Sequence, residues 1–564
     1  MKLNNIWGYG QLFGFSALDG ANRFKNDFIA TLTHEHLGLR FELSEWIKVK
    51  FPMTGEISFK AIMSDFIEAL GAEGELFVTF AENDVLVGYS PVLPVFEGQK
   101  ELARLQSGEA EVWYNEKDAM ALLAKKTEKG YRFAIGHAEN TERAAHIAEK
   151  CFGADIETLK KARYAYYEGM PACKNPKYEQ LYYKALSINK VNVRTAEGNI
   201  PCIWTTPDRV PHRRLWLWDS VFHALAIVNY NQELAKNAIR AVLAQIQPNG
   251  FIPHMIDPDM RSHLTQPQVL AWGVWEVYRK TGDKAFMQES VDALDRFLVW
   301  SMEYRDKNGN GLLEWFTEPD YTNCRCGESG LDNSPRFDFD DDMDAVDFSA
   351  FLAHDAEYLA KIYRALGNEA KAQRWLGVYE KVRAKMNELL WDEETGAYYD
   401  RLFGGSLSKI LTPASFFPLF AGIPTAEQAE KMVETLTDER LLWSKVPLAS
   451  VAQNHPTYST DMWRGGVWLN FNYFTVKGLK RYGYHELAQT LIEKTLNMVN
   501  TWYEKTGTIF EFYDPEGKTV PYLCERKGAP IDPPDWRKHI HSIVDYNWSA
   551  CFTQMYIQNE LYCD

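Results

Sequence analysis

The sequence predicts a mainly α protein in which a closed ring of helix pairs, an (α/α) toroid, follows an N-terminal antiparallel β-sandwich. Three observations favour this architecture. The chain has 564 residues, more than one hydrophobic core normally supports, so two domains are expected. Near residue 160 the sequence pattern changes from short segments rich in β-branched and aromatic residues to long segments with helical periodicity. Loops rich in Gly, Pro and Asp separate the helical segments and hold nearly all the chemically interesting side chains.

The β-sandwich is expected over residues 1–160. Segments such as RFELSEWIKVKF, ELFVTFAENDVLVGYS, EAEVWY and YRFAIGHA are short, rich in strand-forming residues and separated by turns. A helical stretch from about Thr141 to Glu168 then predicts a linker that reaches to about residue 175. Residues 176–564 are expected to form the helical toroid.

The helical half consists of long segments whose ends carry glycines suited to helix C-termini, namely Gly282, Gly367, Gly483 and Gly507. Roughly 390 residues of helix pairs with functional loops at one end suit a closed ring, in which these loops converge on a central pit. An open helical solenoid would show a repeat period, and none is visible.

The charge of the chain excludes one class of partner. The net charge is −16 and the isoelectric point is near 5.4, whereas phosphate binding needs a concentrated basic face, so no nucleic acid is expected. The acidic run from Asp338 to Asp347 could bind a cation, but a solvated loop that leads into a helix is the favoured interpretation.

Neither a membrane nor an oxidising compartment is indicated. No apolar run is long enough to cross a bilayer. The first residues, MKLNNIWGYGQLFG, contain polar residues and glycines where a signal segment would have an apolar run. Of the eight cysteines only Cys324 and Cys326 lie close together, which is a poor metal signature. We expect a soluble, cytoplasmic protein without a membrane partner, and the oligomeric state stays open.

Two carboxylates indicate the chemistry. Asp332 lies in the turn-forming loop ESGLDNSPRFD, where a carboxylic acid can be fixed in place with an altered pKa, as protonation of a leaving group requires. Glu511 lies between aromatic residues in TIFEFYDPEGK, and paired carboxyl groups are the usual equipment for cleaving a glycosidic bond. Alternatively, Asp332 caps a turn, and Glu504, Glu516 and Glu525 compete with Glu511.

The motifs of the helical half, taken in order, resemble glycoside hydrolase family 63 and its trehalase-like relatives. They are RRLWLWDSVFHALAI, QPNGFIPH, TQPQVLAW, GLLEW, ESGLDNSPR, VDFSAFLAHDAEYLA, DMWRGGVWLNFNYFTVKGL, FEFYDPEGK and YNWSACF. The resemblance implies an (α/α)6 barrel often preceded by a β-sandwich, Asp332 as general acid, Glu511 as general base and inversion at the anomeric carbon. One departure is Phe512, because the family often places Asn or Lys after the base.

Further residues of these motifs are candidates for substrate binding. Tryptophans would shape the pocket and polar side chains would bind sugar hydroxyls; the candidates are Trp216, Trp218, Asp219, Gln266, Trp463 and Arg464. Each tryptophan could instead belong to the barrel core, and Asp219 and Arg464 could form structural ion pairs. Arg336 could serve the loop of the acid or simply hold that loop in place.

The segment DKNGNGLLEW resembles the first half of a calcium loop. Oxygen ligands recur at alternate positions, with Gly311 sixth; the candidates are Asp306, Asn308, Asn310, Leu312 through its carbonyl, and Glu314. Thr317 stands where a twelfth-position Glu is usual, so a Gly/Asn turn without an ion is the alternative. Such a calcium ion would be structural, because catalysis by two carboxylates requires no cofactor.

The resemblance implies an exo-acting hydrolase of terminal α-linked glucose or a related sugar, with a small oligosaccharide or glycoside as substrate. Glucosyl or mannosyl glycerate is the alternative substrate. A sugar phosphorylase or a non-catalytic carbohydrate-binding protein are further alternatives. A phosphorylase needs no base, so Glu511 argues against it, and the presence of both carboxylates argues against the binding protein.

Overall fold

The computed structural model describes residues 1–8, 10–41, 47–98, 102–318, 324–338, 342–528 and 541–561. Strands come first in the chain and long helices follow, as the change of sequence pattern near residue 160 predicted. No helix in these ranges combines the length and the apolar character that a bilayer span requires.

Two antiparallel sheets, formed by thirteen strands of the described residues, make up the N-terminal part. The strands are β1 (Leu12–Gly14), β2 (Ile29–Thr33), β3 (Gly38–Phe41), β4 (Ile47–Lys50), β5 (Ser58–Ile62), β6 (Phe66–Gly71), β7 (Gly74–Glu82), β8 (Val85–Ser90), β9 (Val95–Gly98), β10 (Ala103–Ser107), β11 (Ala110–Tyr114), β12 (Ala119–Thr127) and β13 (Gly130–Ala138). One sheet has the order β1-β2-β3-β4-β9, the other β10-β11-β12-β13-β8-β7-β6-β5. In β7, Leu76 and Val78 join the core between the sheets while Phe77 joins the core on the other face, as the two-residue period of a strand requires.

Two helices cover the second face of the larger sheet. α1 (Thr141–Phe152) packs against β11, β12 and β13, and α2 (Ile156–Glu168) packs against β7. Asn140 and Asp155 accept hydrogen bonds from the first turns of these helices. The segment predicted as a linker therefore also buries an apolar sheet face, and residue 160 falls within α2.

Twelve further helices of the described residues form two concentric layers. They are α3 (Glu179–Val191), α4 (Leu217–Ile227), α5 (Gln232–Leu243), α6 (Leu270–Thr281), α7 (Lys284–Tyr304), α8 (Val346–Ala365), α9 (Glu369–Leu389), α10 (Phe417–Ala421), α11 (Ala426–Leu436), α12 (Leu469–Arg481), α13 (His485–Thr506) and α14 (Asn547–Gln558). The even-numbered helices pack α4 to α6, α8, α10, α12 and α14, and α14 closes the ring onto α4. Each odd-numbered helix lies outside, which gives the six pairs of an (α/α)6 barrel.

Burial distinguishes the two layers. Every residue of α4 and α14 is buried, as expected for helices that pack on all sides, whereas α9 buries one stripe against α8. The glycines predicted at helix ends all have positive φ: Gly282, Gly367, Gly483 and Gly507. In the described loops, four short two-stranded ribbons pair Val193–Arg194 with Trp204–Thr205, Leu215–Trp216 with Met255–Ile256, Met343–Asp344 with Arg401–Leu402, and Trp391–Asp392 with Ala397–Tyr398.

Buried ion pairs join the sandwich to the barrel. Asp27, which precedes β2, contacts the guanidinium groups of Arg194 and Arg209, and all three side chains are buried. Burial alone would raise the pKa of Asp27, but the two arginines hold it below its usual range. In a second pair, Lys184 Nζ lies 2.7 Å from Asp545 Oδ2, and Asp545 also accepts the N–H of Leu12. Removal of one partner would leave charges buried without compensation.

Candidate active site

A cavity of ≈ 610 Å³ lies at the end of the ring where the inner helices begin. Because outer and inner helices alternate along the chain, all inner helices start at the same end, and their preceding loops converge there. The cavity is lined from the starts of α4 and α14, from the loops before α6, α8 and α12, and from the loop between α13 and α14. Asp332 and Glu511 both line it.

Asp332 is held by a rigid loop, residues 327–338, called here the acid loop. Gly330 has φ 71°, and a Cβ at this position would lie 2.4 Å from the indole of Trp218, so only glycine fits. Asn333 Oδ1 accepts the N–H of Trp463 at 3.0 Å, which ties the acid loop to the loop before α12. The side chain of Asp332 is 24% exposed and faces the cavity.

A second carboxylate of the acid loop, Glu328, has a structural position. It is fully buried and accepts hydrogen bonds from Arg305 at 2.5 Å and from the N–H groups of Thr265 and Phe316. It does not line the cavity, whereas Asp332 does. Among the carboxyl groups of the acid loop, position therefore selects Asp332 as the one that can reach a bound sugar.

Glu511 lies at the base of the cavity and is buried, with only 3% of the residue exposed. Its N–H donates to Ile543 O at 2.9 Å, and its carboxylate accepts a hydrogen bond from Arg526. The competing residues Glu504, Glu516 and Glu525 do not line the cavity.

Phe512, the departure from the family pattern, packs behind the cavity wall. Its ring stacks on Trp468 with centroids 4.8 Å apart, and Trp468 stacks on Trp463 at 3.8 Å. Phe512 itself does not line the cavity. Phe512 therefore packs against the aromatic side chains of the cavity wall and does not border the space that an attacking water molecule would occupy.

Two residues that sequence reasoning missed, Arg526 and Lys527, belong to residues 524–528, called here the basic loop. Lys527 Nζ lies 2.7 Å from Asp332 Oδ2, and Arg526 binds Glu511 and lies 3.2 Å from His212 Nε2. Burial raises the pKa of Asp332, but Lys527, with help from Arg526 and His212, holds it below its usual range. No local motif marks these residues, because their role arises from contacts across the barrel.

The predicted binding residues separate into two groups. Those that line the cavity are Trp216, Trp218, Asp219, Gln266 and Trp463. Asp219 is buried, and burial, together with the charges of Glu511 and Asp208, raises its pKa well above the usual range. Among the described residues, its Oδ1 has no hydrogen-bond partner. A buried carboxyl group with a spare oxygen at a cavity wall suits a sugar hydroxyl.

Arg336 and Arg464 lie outside the cavity lining. Arg336 is buried between Asp347 and Asp400, at 2.6 and 2.7 Å, and so holds the acid loop in place, the second of its two expected roles. Arg464 forms a bidentate pair with Asp338 at 2.6 and 2.9 Å, the structural ion pair named as its alternative. Sequence missed His212, His254, Tyr546 and Trp548, which also line the cavity.

The candidate calcium loop, residues 306–314, connects α7 to the segment that leads to the acid loop. The N–H of Gly311 donates to Asp306 Oδ2 at 3.0 Å, and the side-chain amides of Asn308 and Asn310 donate to the two oxygens of Asp344 at 2.8 and 2.9 Å. Glu314 is buried near Asp344 and Asp306, and burial first, then their charges, raises its pKa to about 8. Asp306 Oδ1 and Glu314 Oε1 are buried without a partner in the described residues.

Within the part of the chain that the structure describes, no group of three His, Cys, Asp or Glu side chains meets the geometry of a metal centre. The candidate loop offers carboxylates, amide oxygens and the carbonyl of Leu312, which are the types of oxygen ligand that Ca²⁺ takes. The two unpartnered carboxylate oxygens are the feature that fits a hard cation.

The acidic run from Asp338 to Asp347 leads into α8, as expected, but it is only partly solvated, because Asp344 and Asp347 are buried. Residues 339–341 lie outside the described residues. Among the others, Asp338 pairs with Arg464, Asp342 lies 2.6 Å from Lys307 Nζ, and the buried Asp344 and Asp347 are bound as described above. Each of these acids contacts a different basic or amide partner, and these contacts hold together the loops next to the cavity.

Comparisons with known proteins agree with this arrangement. Residues 211–549 match the family model described as the mannosylglycerate hydrolase MGH1-like glycoside hydrolase domain. Mannosylglycerate hydrolase MGH1 of Selaginella moellendorffii is 27% identical over 399 residues, covering 55% of this chain and 78% of that protein. Mannosyl-oligosaccharide glucosidase GCS1 of Arabidopsis thaliana is 24% identical over 396 residues, covering 55% and 46%. An uncharacterized protein of Borreliella burgdorferi is 25% identical over 293 residues. This match covers 51% of this chain and only 58% of that protein.

Solved structures show the same fold. A GH63 mannosylglycerate hydrolase from Thermus thermophilus, in complex with glucose, has a TM-score of 0.54 at 23% identity and covers 67% of this chain and 100% of its own. A bacterial glucoamylase complexed with acarbose has a TM-score of 0.62 at 11% identity and covers 99% of this chain and 95% of its own. The predicted fold class, a helical barrel after a β-sandwich, is confirmed.

Proposed function

Since the chain belongs to the mannosylglycerate hydrolase MGH1-like glycoside hydrolases of family 63, we propose that it hydrolyses a small α-linked mannoside or glucoside, with a glycerate glycoside as the first candidate. The observation that supports this most is that Asp332 and Glu511 line one cavity with aromatic walls. The size of the cavity, ≈ 610 Å³, suits one sugar with a small leaving group.

In this proposal Asp332 gives a proton to the glycosidic oxygen as the bond to the anomeric carbon breaks. A water molecule attacks the opposite face of that carbon and passes a proton to Glu511, so the configuration inverts. Asp219 binds a sugar hydroxyl, and Trp216 and Trp218 offer apolar surface to the ring. The contact with Lys527 must change during the cycle, because it favours ionised Asp332.

A terminal α-glucosidase is the second candidate, supported by the similarity to GCS1. Proton NMR tests both candidates: the purified protein is incubated with α-linked glucose disaccharides and with glucosyl and mannosyl glycerate, and the released anomer is followed. The β-anomer appearing first supports inverting hydrolysis and identifies the substrate. The α-anomer appearing first contradicts the roles of Asp332 and Glu511. Turnover that requires phosphate would indicate a phosphorylase, and silence across the panel would favour a binding protein.

We also propose that the candidate calcium loop binds a structural Ca²⁺ through Asp306, Asn308, Asn310, Glu314 and the carbonyl of Leu312. The two buried, unpartnered carboxylate oxygens support this proposal, because a cation would satisfy them. Asp344 would complete the shell from outside the loop, as its contacts with the two asparagines allow. The ion would take no part in the reaction.

A further inference from the structure

Two consecutive basic residues each contact one of the candidate catalytic carboxylates. Arg526 donates to Glu511, and Lys527 Nζ lies 2.7 Å from Asp332 Oδ2. The two contacts differ in consequence. A general base works in its ionised form, so a cation beside Glu511 is compatible with its role. A general acid must carry a proton, and an ammonium group beside Asp332 opposes this.

The backbone of Lys527 is fixed while its side chain reaches the cavity. The N–H groups of Lys527 and Gly528 donate to the two carboxylate oxygens of buried Asp461, at 2.6 and 2.7 Å. Lys527 has φ 55°, in the left-handed region that non-glycine residues rarely adopt, so these two bonds hold an otherwise disfavoured conformation. Its side chain is 32% exposed. The amine can therefore exchange its partner without a movement of the basic loop.

We propose that Lys527 recognises a carboxylate on the leaving group, and that this exchange of partners releases Asp332 to act as the general acid. The inference rests on the proposed function, from which the glycerate leaving group is taken. In a glycerate glycoside, only one or two carbon atoms separate the carboxylate carbon from the glycosidic oxygen. The group that Lys527 would bind and the atom that Asp332 would protonate are therefore neighbours.

The protons balance without a further reactant. Lys527 stays an ammonium ion and moves from the carboxylate of Asp332 to that of the leaving group. Asp332 then takes a proton from solvent and gives it to the glycosidic oxygen, while the attacking water adds its oxygen to the sugar and one proton to Glu511. The other titratable groups that act on Asp332 or face it are Arg526, His212, His254 and Cys324.

The test compares two substrates that share one sugar: the glycerate glycoside and the glycerol glycoside, which lacks only the carboxylate. Lys527→Gln should lower kcat/KM for the glycerate glycoside roughly 10- to 100-fold, mainly through KM, since one charge-assisted contact is lost. The glycerol glycoside should show no such loss, and its kcat should rise at pH values above the wild-type decline, because no ammonium group then opposes protonation of Asp332. Lys527→Arg should restore part of the preference. Lys518→Gln is the matched control, because it removes a 72% exposed lysine from the same segment between α13 and α14.

The pH profile of kcat distinguishes this role from a merely structural one. In the wild type the decline of kcat at high pH should begin at lower pH for the glycerol glycoside, because Lys527 then stays on Asp332. In Lys527→Gln that decline should move up by about one pH unit. Equal losses on both substrates with an unmoved decline would overturn the proposal, and so would an unchanged preference.

The failure of the proposed function would be seen separately. If the wild type hydrolyses neither glycoside, calorimetric titration with D-glycerate still tests Lys527. Binding that weakens at least about tenfold in Lys527→Gln would support the inference. Absent binding, or equal binding by wild type and variant, would overturn it.

Discussion

Gly330 allows a direct test of how the fold positions the general acid. A Cβ at this residue would lie 2.4 and 2.5 Å from two carbons of the Trp218 indole, where ordinary contacts begin near 3.4 Å. Gly330→Ala therefore requires that the loop and the ring separate by about 1 Å. Trp218 is buried against Phe222 and Trp548, with ring centroids 5.5 and 5.6 Å away, so it has little room to move. We expect the acid loop to move, and Asp332 with it.

The cost has two separable parts. Alanine in the left-handed region, at φ 71°, should lower the free energy of unfolding by about 1–2 kcal/mol. Displacement of Asp332 by about 1 Å should lower kcat by up to about 100-fold, because proton transfer depends on the position of the acid. Gly282→Ala is the matched control: its φ is 68°, nothing lies within 4 Å of the added Cβ, and it ends α6 away from the cavity.

Thermal unfolding and steady-state kinetics on the substrate found by NMR measure the two parts. We expect Gly330→Ala to lose at least as much stability as Gly282→Ala, since the steric contact with Trp218 adds its own cost, and only Gly330→Ala to lose most of its activity. If Gly330→Ala keeps the kcat of the wild type, contact with Trp218 does not position the acid. If both variants lose activity equally, loss of stability alone explains the effect.

Three further predictions follow from the described contacts. Asp332→Asn and Glu511→Gln should each lower kcat by about 10²–10⁴-fold with little change in the melting temperature, and a variant that keeps its activity would exclude that residue as acid or base. Asp27→Asn should lower the free energy of unfolding in urea by about 3–5 kcal/mol, against less than about 1 kcal/mol for Glu97→Gln, whose side chain is 54% exposed. Because the pKa of Asp27 is lowered, its contribution is present above its ordinary pKa and is lost as the pH falls through the lowered value. Equal stability of variant and wild type at pH 7 would refute the pairing. Since the pKa of Glu314 is about 8 and calcium binds the ionised form, the rise in melting temperature on adding Ca²⁺ to chelator-treated protein should be larger at pH 8.5 than at pH 6, and no rise at either pH would argue against the site.

The sequence predicted the fold class because its evidence is local. Strand and helix periods are visible in short windows, and the four glycines at helix ends have the positive φ that their position predicted. It also identified Asp332, Glu511, Trp218 and Trp463 in four separate motifs, which the closed ring brings to one cavity. That convergence follows from ring closure, since every inner helix then starts at the same end.

The direction in which a side chain points within a loop does not follow from the motif that contains it. Arg336 and Arg464 belong to quoted motifs, yet each binds acids behind the wall, because Asp347, Asp400 and Asp338 come from segments that the fold places there. Arg526 and Lys527 lie in no motif and face the cavity.

The difference between these basic residues lies in the partners that tertiary packing supplies. A buried guanidinium between two structural carboxylates, as at Arg336, has four of its five N–H donors engaged and lies outside the cavity lining. A partly exposed ammonium that contacts one carboxylate at a cavity wall, as at Lys527, still has donors for an incoming oxygen. Basic residues near an active site are therefore best assigned by counting the acceptors that the fold already provides. By that criterion Lys527 is the residue whose contact a substrate can replace.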